Sequence, residues 1–347
     1  MIRNKSKNCS HSKSQTKSRA KSHTLRGYFL IAAATLFWGI SATLGRAVFT
    51  GRLSLGSQPV QPIEPLMLAQ SRTTISFLLL TPILLMNRGW AGLRLSRREI
   101  AQCMLLGTVG VASSNYFYYL AIQRTTVATA IILQYTAPVF VLLYMLLRGE
   151  QHATVQRVSG VTLAVVGSVF AIGAIGWTGH FPWVTIASGA LKLDSIGVTA
   201  ALIAAVAFSF YNVFARRLVE KNDRWRVLLY ALMGAAIGWN FVNPPWKVMA
   251  AHYSQAQWTF LLLFSVCSVL IPFSLYFWGL QYLDATRAIV SSCLEPAFAI
   301  MIAAAALGEV VGPLQIVGIV VTLTATVLVQ LPEKAAREGA LIIEPME

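Results

Sequence analysis

The sequence predicts an all-α polytopic membrane protein with ten transmembrane helices, arranged as two inverted five-helix repeats. Three observations predict this fold: the composition, ten apolar windows and an internal duplication. Hydrophobic types make up 56% and charged types 12% of the 347 residues, and the mean hydropathy is +0.62. A soluble domain has roughly 45–50% apolar and about 25% charged residues. The composition therefore excludes an ordinary soluble protein.

Each apolar window is long enough to cross the hydrocarbon core of a bilayer. A helix rises about 1.5 Å per residue, so ~30 Å of hydrocarbon takes about 20 residues. The windows are continuously apolar, which favours helices over the alternating strands of a barrel. We number them spans 1 to 10, and they are predicted at Gly27–Phe49, Leu66–Met86, Ile100–Ile122, Thr126–Leu147, Val158–Gly176, Ile196–Leu218, Val227–Val242, Trp258–Leu283, Thr286–Leu307 and Gly312–Leu331.

Lysine and arginine are distributed unevenly between the two sides of these spans. Of the 28 basic residues, 22 lie on the side that holds the two termini and four on the other. Basic loops are retained in the cytoplasm, so we expect an integral membrane protein with both termini cytoplasmic. The net charge of +15 predicts contact with an anionic cytoplasmic lipid face and no binding of nucleic acid, because the basic residues lie between apolar windows.

Two tails and one long connection complete the predicted organisation. Residues 1–26 contain eight basic residues and no acidic one, a composition that predicts a disordered basic cytoplasmic tail. Residues 27–176 form the first repeat and residues 196–331 the second. Between them, residues 177–195 form an extracytoplasmic loop, and residues 332–347 form a second cytoplasmic tail.

The same pattern occurs twice in the chain. Tyr118–Phe140 aligns with Tyr276–Phe298 at a constant offset of 158, and Gly27–Arg46 aligns with Gly197–Arg216. Because each half holds an odd number of spans, the halves insert with opposite orientation. Inverted repeats of this kind are typical of transporters, with the site near the bilayer midplane where the repeats meet.

Short motifs in the two halves resemble one known family. They are Leu294–Phe298 leading to Leu307–Glu309, the counterpart Leu133–Pro138 leading to Gly149–Glu150, and Trp38–Gly39 in span 1. With these residues the chain resembles the EamA-type transporters of the drug/metabolite transporter superfamily. The resemblance implies a ten-helix inner-membrane carrier that usually exports small metabolites such as amino acids. It also implies a cavity lined by the first four helices of each half.

Glu295 is the strongest candidate for the chemistry of transport. It is the tenth residue of predicted span 9, about 15 Å into the membrane. Intramembrane carboxylates usually face a cavity and mark an ion or substrate path, so we expect Glu295 to bind a substrate ammonium group or to carry a coupling proton. The alternative is a protonated Glu295 that holds a neighbouring helix beside Pro296. The first repeat has Ala137 at this position, so carboxylate chemistry is confined to one half.

Other polar and aromatic residues lie at a similar depth in spans expected to face the cavity. Together they suit a small polar or zwitterionic substrate, although each of them could instead serve interhelical hydrogen bonding. The predicted substrate-binding residues are Trp38, Asn115, Tyr119, Gln134, Tyr135, Tyr211, Asn212, Tyr276, Ser291, Ser292 and Glu295.

Several other residues receive predicted structural roles. Pro138 and Pro296 each remove a helical hydrogen bond, which predicts kinks that flex during alternating access. We expect Arg46 and Arg72 to extend to the membrane surface rather than to bind a substrate carboxylate. The GxxxG sequence from Gly234 to Gly238 favours close helix packing within the bundle.

The predicted function is secondary active or facilitative transport, with export of a small polar metabolite such as an amino acid as the leading case. The sequence contains no GxxxxGK[ST] phosphate loop and no HExxH motif, so we expect no enzymatic activity and no metal or cofactor. Its four cysteines lack metal-ligand spacing. Two alternatives stay open: a carrier for larger nucleotide-like or drug-like cations, and a membrane-embedded enzyme or sensor.

Overall fold

The computed structural model describes residues 3–49, 51, 53–55, 58–125, 127–172, 175–177, 184–186, 194–307 and 312–330. Within these residues each of the ten predicted spans contains helix, but the predicted end of span 5 at Gly176 lies in a strand, Ile175–Trp177. The helices of the first repeat are Arg3–Phe49 in span 1, Pro65–Leu93 in span 2, Arg97–Leu105 with Leu106–Ala112 and Ser113–Arg124 in span 3, Val127–Gln134 with Ala137–Leu147 in span 4, and Val155–Ala171 in span 5.

The second repeat has the same succession of helices. They are Ser195–Lys221 in span 6, Arg224–Val242 in span 7, Gln255–Ser265 with Val266–Leu270 and Ile271–Gly279 in span 8, Ala285–Ser292 with Glu295–Leu307 in span 9, and Pro313–Gln330 in span 10. A short helix, Pro245–Ala250, joins spans 7 and 8. Two antiparallel ribbons lie in the connections after spans 1 and 5: β1 Ser54–Leu55 pairs with β2 Gln58–Pro59, and β3 Ile175–Trp177 pairs with β4 Val184–Ile186.

Side-chain caps fix where several spans begin. Ser96 forms a capping box with Glu99 at the start of span 3, and Ser254 forms one with Gln257 at the start of span 8. Asp194 accepts from the backbone N–H of Gly197 at the start of span 6. Such caps satisfy backbone donors that the first helical turn leaves without partners, so the loop residues position the spans along the membrane normal.

Span 1 begins earlier than the sequence predicts. The helix extends back to Arg3, so residues 3–26 are helical here in place of the predicted disordered tail. These residues contain neither glycine nor proline, and therefore nothing in them ends the helix that the apolar segment from Gly27 onward starts.

The ten spans differ in length and in mean hydropathy, and not every one of them is long and apolar enough by itself to be identified as a membrane-crossing helix. Among the described residues, seven helices are long and apolar enough to cross a membrane, and Val155–Ala171 and Pro313–Val329 are shorter apolar helices. At 17 residues, span 5 is about 26 Å long, near the lower limit for crossing the hydrocarbon core. The polar residues in the middle of span 3, Ser113–Asn115, lower its mean hydropathy.

Spans of the two repeats interlock through contacts that occur in symmetric pairs. Thr43 of span 1 donates to the Ala299 carbonyl of span 9 at 3.3 Å, and Ser209 of span 6 donates to the Ala137 carbonyl of span 4 at 3.0 Å. Span 1 corresponds to span 6 in the other repeat, and span 9 corresponds to span 4, so the two contacts are equivalent. The inverted repeat in the sequence is therefore a two-fold pseudosymmetry of the fold.

A second symmetric pair of contacts joins spans 2 and 7 to the third span of the opposite repeat. Ser76 of span 2 donates to the Ser265 carbonyl of span 8 at 3.0 Å, and Thr108 of span 3 donates to the Gly234 carbonyl of span 7 at 3.0 Å. A Cβ atom on Gly234 would lie 2.3 Å from the Met104 carbonyl oxygen. The GxxxG sequence thus brings spans 3 and 7 of the same chain together.

Spans 5 and 10 pack closely on each other through small residues. A Cβ atom on Gly167 would lie 2.7 Å from the Thr322 backbone nitrogen, and one on Gly318 would lie 2.2 Å from the Ala171 nitrogen. Close backbone contact of this kind maximises van der Waals packing between membrane helices. The main apolar core lies elsewhere, among residues of spans 1, 2, 3, 6, 7, 8 and 9.

Candidate substrate site

Four helix irregularities surround the middle of the bundle. Spans 3 and 8 each contain a π-helical segment, Leu106–Ala112 and Val266–Leu270. The two segments end 158 residues apart, the same offset that relates the repeats. π-Helical turns rotate the residues that follow them and are frequent at functional sites.

Spans 4 and 9 are each divided by two residues that are not α-helical. The breaks are Tyr135–Thr136 and Cys293–Leu294, and Pro138 and Pro296 follow close behind them. The backbone N–H groups of Thr136 and Leu294 bond to carbonyls three residues earlier, at 3.2 Å in both cases. The predicted kink prolines therefore lie just beyond two symmetric breaks in the helices.

One group of polar side chains collects beside these breaks, and we call it the charged cluster: Arg72, Asn115, Tyr118, Tyr135 and Glu295. The Arg72 guanidinium donates to Asn115 Oδ1 at 2.9 Å, and Asn115 Nδ2 donates to the Val111 carbonyl at 2.8 Å. Glu295 and the Tyr135 hydroxyl form a side-chain hydrogen bond. Tyr118 interacts electrostatically with both Glu295 and Arg72. The charged cluster thus joins spans 2, 3, 4 and 9.

The two opposite charges of the charged cluster are not paired with each other. Glu295 lies within electrostatic range of Arg72, yet the ion pairs found among the described residues do not include this one. The Arg72 Nε atom is buried and has no hydrogen-bond partner. Because an unpaired charge in a membrane interior is costly, this arrangement favours a ligand that supplies the missing partners.

A second group consists of aromatic rings in mutual contact, and we call it the aromatic cluster: Trp38, Phe208, Tyr211, Phe273 and Tyr276. Tyr276 lies 5.2 Å from Trp38 and 6.1 Å from Tyr211 between ring centroids. The Tyr276 hydroxyl donates to Asn212 Oδ1, and both residues have no exposed surface. Side chains buried this completely pack spans 1, 6 and 8 together in this conformation.

Two residues of the aromatic cluster, Phe273 and Tyr276, stand at the repeat positions of charged-cluster residues. At the repeat offset of 158, Asn115 corresponds to Phe273, Tyr118 to Tyr276 and Tyr135 to Cys293, while Glu295 corresponds to Ala137. The fold is therefore symmetric in backbone but not in chemistry.

The structure divides the predicted substrate-binding residues between these places. Asn115, Tyr135 and Glu295 belong to the charged cluster, whereas Trp38, Tyr211, Asn212 and Tyr276 belong to or border the aromatic cluster. Tyr119 is buried with its ring 5.5 Å from that of Tyr118, and Gln134 is half-buried directly before Tyr135. Ser292 is buried and donates to the Ile289 carbonyl at 2.7 Å, and Ser291 borders a groove beside span 1.

The expectation for Arg72 is wrong, and this residue is the main one that the sequence interpretation misses. Its side chain bonds to Asn115 inside the bundle instead of extending to the membrane surface. Arg72 is the eighth residue of span 2 and Asn115 lies nine residues before the end of span 3, so both are at a similar depth of ~10–14 Å. That match in depth is the signal that could have identified the pair. The side chain of Arg46 lies outside the described part of the structure.

Contacts between the repeats also join the end of the bundle that carries the loops after spans 2, 4, 6 and 8, which we call the basic end. Arg88 pairs with Asp223 at 2.6 Å, and Arg226 donates to the Arg94 carbonyl at 3.2 Å. At the opposite end, Gln70 and Asn243 exchange hydrogen bonds and are both buried. Contacts between the repeats therefore lie at both ends of the bundle.

Fold and sequence together define a class, that of polytopic membrane transporters built from two inverted five-helix repeats. The chain belongs to the EamA-like transporter family, whose sequence profile matches residues 25–173 and 195–331. The match spans both repeats, in agreement with the pseudosymmetry of the fold.

Several known proteins are similar to this chain. The threonine/homoserine exporter RhtA of Escherichia coli is 24% identical over 268 residues, which cover 76% of this chain and 82% of RhtA. The uncharacterized inner membrane transporter YicL of Salmonella typhimurium is 20% identical over 319 residues, covering 91% of this chain and 99% of YicL. A protein of known crystal structure has the same fold, with a TM-score of 0.66 and 18% identity over 89% of this chain and 97% of its own.

Proposed function

We propose that this transporter exports a small zwitterionic metabolite, with an α-amino acid as the leading substrate. The observation that carries the proposal is the charged cluster, in which Arg72 and Glu295 lie within electrostatic range of each other without forming an ion pair. An amino acid carries a carboxylate and an ammonium group a few ångströms apart. RhtA, a similar protein, is named for the export of threonine and homoserine, which is consistent with a substrate of this kind.

The two ends of such a substrate would bind to different spans. The Arg72 guanidinium, oriented by Asn115, provides donors for the carboxylate, and its free Nε–H suits a bidentate contact. Glu295, which bonds to Tyr135, accepts from the ammonium group. Binding would thus connect spans 2 and 3 to the second part of span 9.

Alternating access would proceed by bending at the symmetric breaks of spans 4 and 9 while the repeats rock against each other. The ion pairs at the basic end are partly exposed, and pairs of this type contribute only about 0–1 kcal/mol each. They can therefore separate in each transport cycle. The contact of Gln70 with Asn243 is buried, and its separation would open the other end.

The charged cluster also bears on the energy source and on the competing candidate. Without a nucleotide-binding motif, energy would come from an ion gradient or from the gradient of the substrate itself, and Glu295 could return across the membrane protonated after substrate release. A carrier for larger cations is disfavoured because Arg72 would repel a cation bound at Glu295.

We further propose a plasma-membrane location with the basic end in the cytoplasm, on the strength of the lysine and arginine distribution.

The proposal is tested by flux into proteoliposomes. Labelled threonine, homoserine, other amino acids, amines and nucleosides would be offered with and without an imposed pH gradient. We expect saturable movement of amino acids and little movement of compounds that lack either charge. Transport of amines or nucleosides in preference to amino acids would contradict a zwitterionic substrate.

Glu295→Gln is the variant that tests the coupling role, with Glu64→Gln as its control. We expect Glu295→Gln to reduce amino-acid flux at least tenfold and to remove its response to the pH gradient. Glu64 is an exposed carboxylate that makes no capping hydrogen bond at the start of span 2, so its variant should behave like the wild type. Unchanged flux and pH response in a folded Glu295→Gln protein would exclude Glu295 from the mechanism.

A further inference from the structure

A groove of about 570 Å³ runs between spans 1, 9 and 10, and its lining contains no residue of either cluster described above. This volume is in the range of ligand-binding pockets, roughly 300–1,000 Å³. Its walls include Arg26, Tyr28 and Phe29 of span 1, Ser291 and Leu294 of span 9, and Thr326 of span 10.

The groove opens sideways toward the surroundings of the bundle. Phe29 is 72% exposed and Leu25, another wall residue, is 68% exposed. In a transmembrane helix, apolar side chains with this exposure face lipid. An acyl chain is thus the ligand that meets the groove without having to leave the bilayer.

Positive charge is concentrated beside Arg26, the wall residue at the basic end of the groove, which we call the mouth. The Arg26 and Arg224 guanidinium carbons lie 4.7 Å and 4.5 Å from the ring centroid of Trp278. Arg224 is also repelled by Arg88, and the acidic group that attracts it is Asp223, which already pairs with Arg88 at 2.6 Å. An aromatic face holds a cation but does not neutralise it. The mouth therefore complements an anionic group.

The inner wall of the groove reaches the break in span 9. Leu294 is the second residue of that break and directly precedes Glu295. Tyr28, also in the wall, is 7% exposed, and its hydroxyl is buried without a hydrogen-bond partner. A ligand in the groove would therefore touch the part of span 9 that positions Glu295.

We propose that the groove is a binding site for an anionic phospholipid. The headgroup phosphate pairs with Arg26 at the basic end, and one acyl chain follows Phe29 inward to Leu294. An occupied groove supports the break in span 9 from its outer side. Lipid binding at this site does not depend on which substrate the protein carries.

Native mass spectrometry tests the site directly. Purified wild-type protein would be partly delipidated and incubated with equimolar phosphatidylglycerol and phosphatidylcholine. We expect preferential retention of phosphatidylglycerol, and about a fivefold loss of that preference in Arg26→Gln, the effect of one basic residue near anionic lipid. Arg98→Gln, which removes an exposed charge of the basic end outside the groove, is the matched control and should retain the wild-type preference.

A second variant tests the acyl-chain part of the site. The variant is Ala32→Phe, at a half-buried residue of the groove wall. The added phenyl ring should fill the groove. Ala32→Phe should lose retention of both lipids at this site while keeping the wild-type melting temperature. The proposal is overturned if wild-type protein shows no preference between the lipids, if Arg26→Gln keeps it, or if folded Ala32→Phe binds both lipids as before.

Discussion

Arg72 and Glu295 show how two charged side chains can persist inside an apolar bundle. Each costs free energy in a medium of low dielectric constant, and part of that cost is offset by hydrogen bonds, from Arg72 to Asn115 and between Glu295 and Tyr135. The remaining cost is not offset by a direct ion pair. Charged residues whose burial costs free energy, and whose hydrogen-bonding groups are not all paired, are often found at functional sites. For this reason we assign Arg72 and Glu295 to substrate binding.

Arg72→Gln should change substrate selection at the carboxylate end. A charge-assisted hydrogen bond contributes about 1.5–3 kcal/mol, so the half-saturation concentration for an amino acid should rise about 10- to 150-fold. The corresponding amino-acid amide, which lacks the carboxylate charge, should be nearly unaffected. The measurement is competition of each compound against labelled amino acid in proteoliposomes.

Arg72→Lys is the control for charge without the planar guanidinium. Lysine keeps the positive charge but loses bidentate geometry, so its affinity for the amino acid should be intermediate. Equal losses for the amino acid and for its amide in Arg72→Gln would mean that Arg72 serves only to pack spans 2 and 3.

Irregular segments of helix carry the proposed site, while regular ones hold the bundle together. The π-helical segments of spans 3 and 8 and the breaks in spans 4 and 9 lie next to the two clusters. Spans 5 and 10 are unbroken in the described residues and pack on each other through Gly167 and Gly318. Irregular helices thus carry the proposed site, and a regular, closely packed pair of helices lies beside it.

Gly167→Ala should destabilise the contact of spans 5 and 10. The added Cβ atom would lie 2.5 Å from Thr322 Oγ1 and 2.7 Å from the Thr322 nitrogen, so the two helices must move apart. Overpacking of this kind costs about 1–3 kcal/mol, which would lower the melting temperature of the detergent-solubilised protein by several degrees.

Gly312→Ala is the matched control at the start of span 10. The nearest atom to its added Cβ is 3.6 Å away, an ordinary van der Waals distance. Its melting temperature should therefore equal that of the wild type. If Gly167→Ala melts at the same temperature as Gly312→Ala, close packing at Gly167 does not stabilise the fold.

The whole molecule combines a symmetric backbone with asymmetric chemistry and charge. Two-fold pseudosymmetry relates the contacts of spans 1 and 9 to those of spans 6 and 4. Yet one repeat contributes most of the charged cluster and the other most of the aromatic cluster. The same asymmetry affects the two membrane faces, because the basic residues collect at one end of the bundle.

The orientation of the molecule is tested by labelling single cysteines. In a variant without native cysteines, Lys247→Cys and Arg98→Cys would be exposed at opposite ends of the bundle. An impermeant thiol reagent added to intact cells should label the first at once and the second only after permeabilisation, since basic loops stay in the cytoplasm. The reverse pattern would overturn the proposed orientation. Lys192, the other natural choice on that side, lies outside the described residues.

The sequence by itself determined the features that depend on local composition. Ten apolar windows, their duplication and the prolines beside Tyr135 and Cys293 are all legible without coordinates, because a bilayer permits few alternatives to a helix for such segments. Glu295 was identifiable for the same reason, as a single carboxylate in an apolar run.

Only the tertiary structure decided which side chains meet. The rotation of each helix about its own axis is set by packing against its neighbours, and the π-helical segment Leu106–Ala112 shifts the rotation of the residues after it. For that reason Tyr118 joins the charged cluster while Tyr119, which the sequence favours, packs in the core. The direction of the Arg72 side chain was also decided by the tertiary structure. A long side chain near a helix end can point toward the membrane surface or toward the bundle interior. Asn115 on span 3 accepts its hydrogen bond and so directs it to the interior.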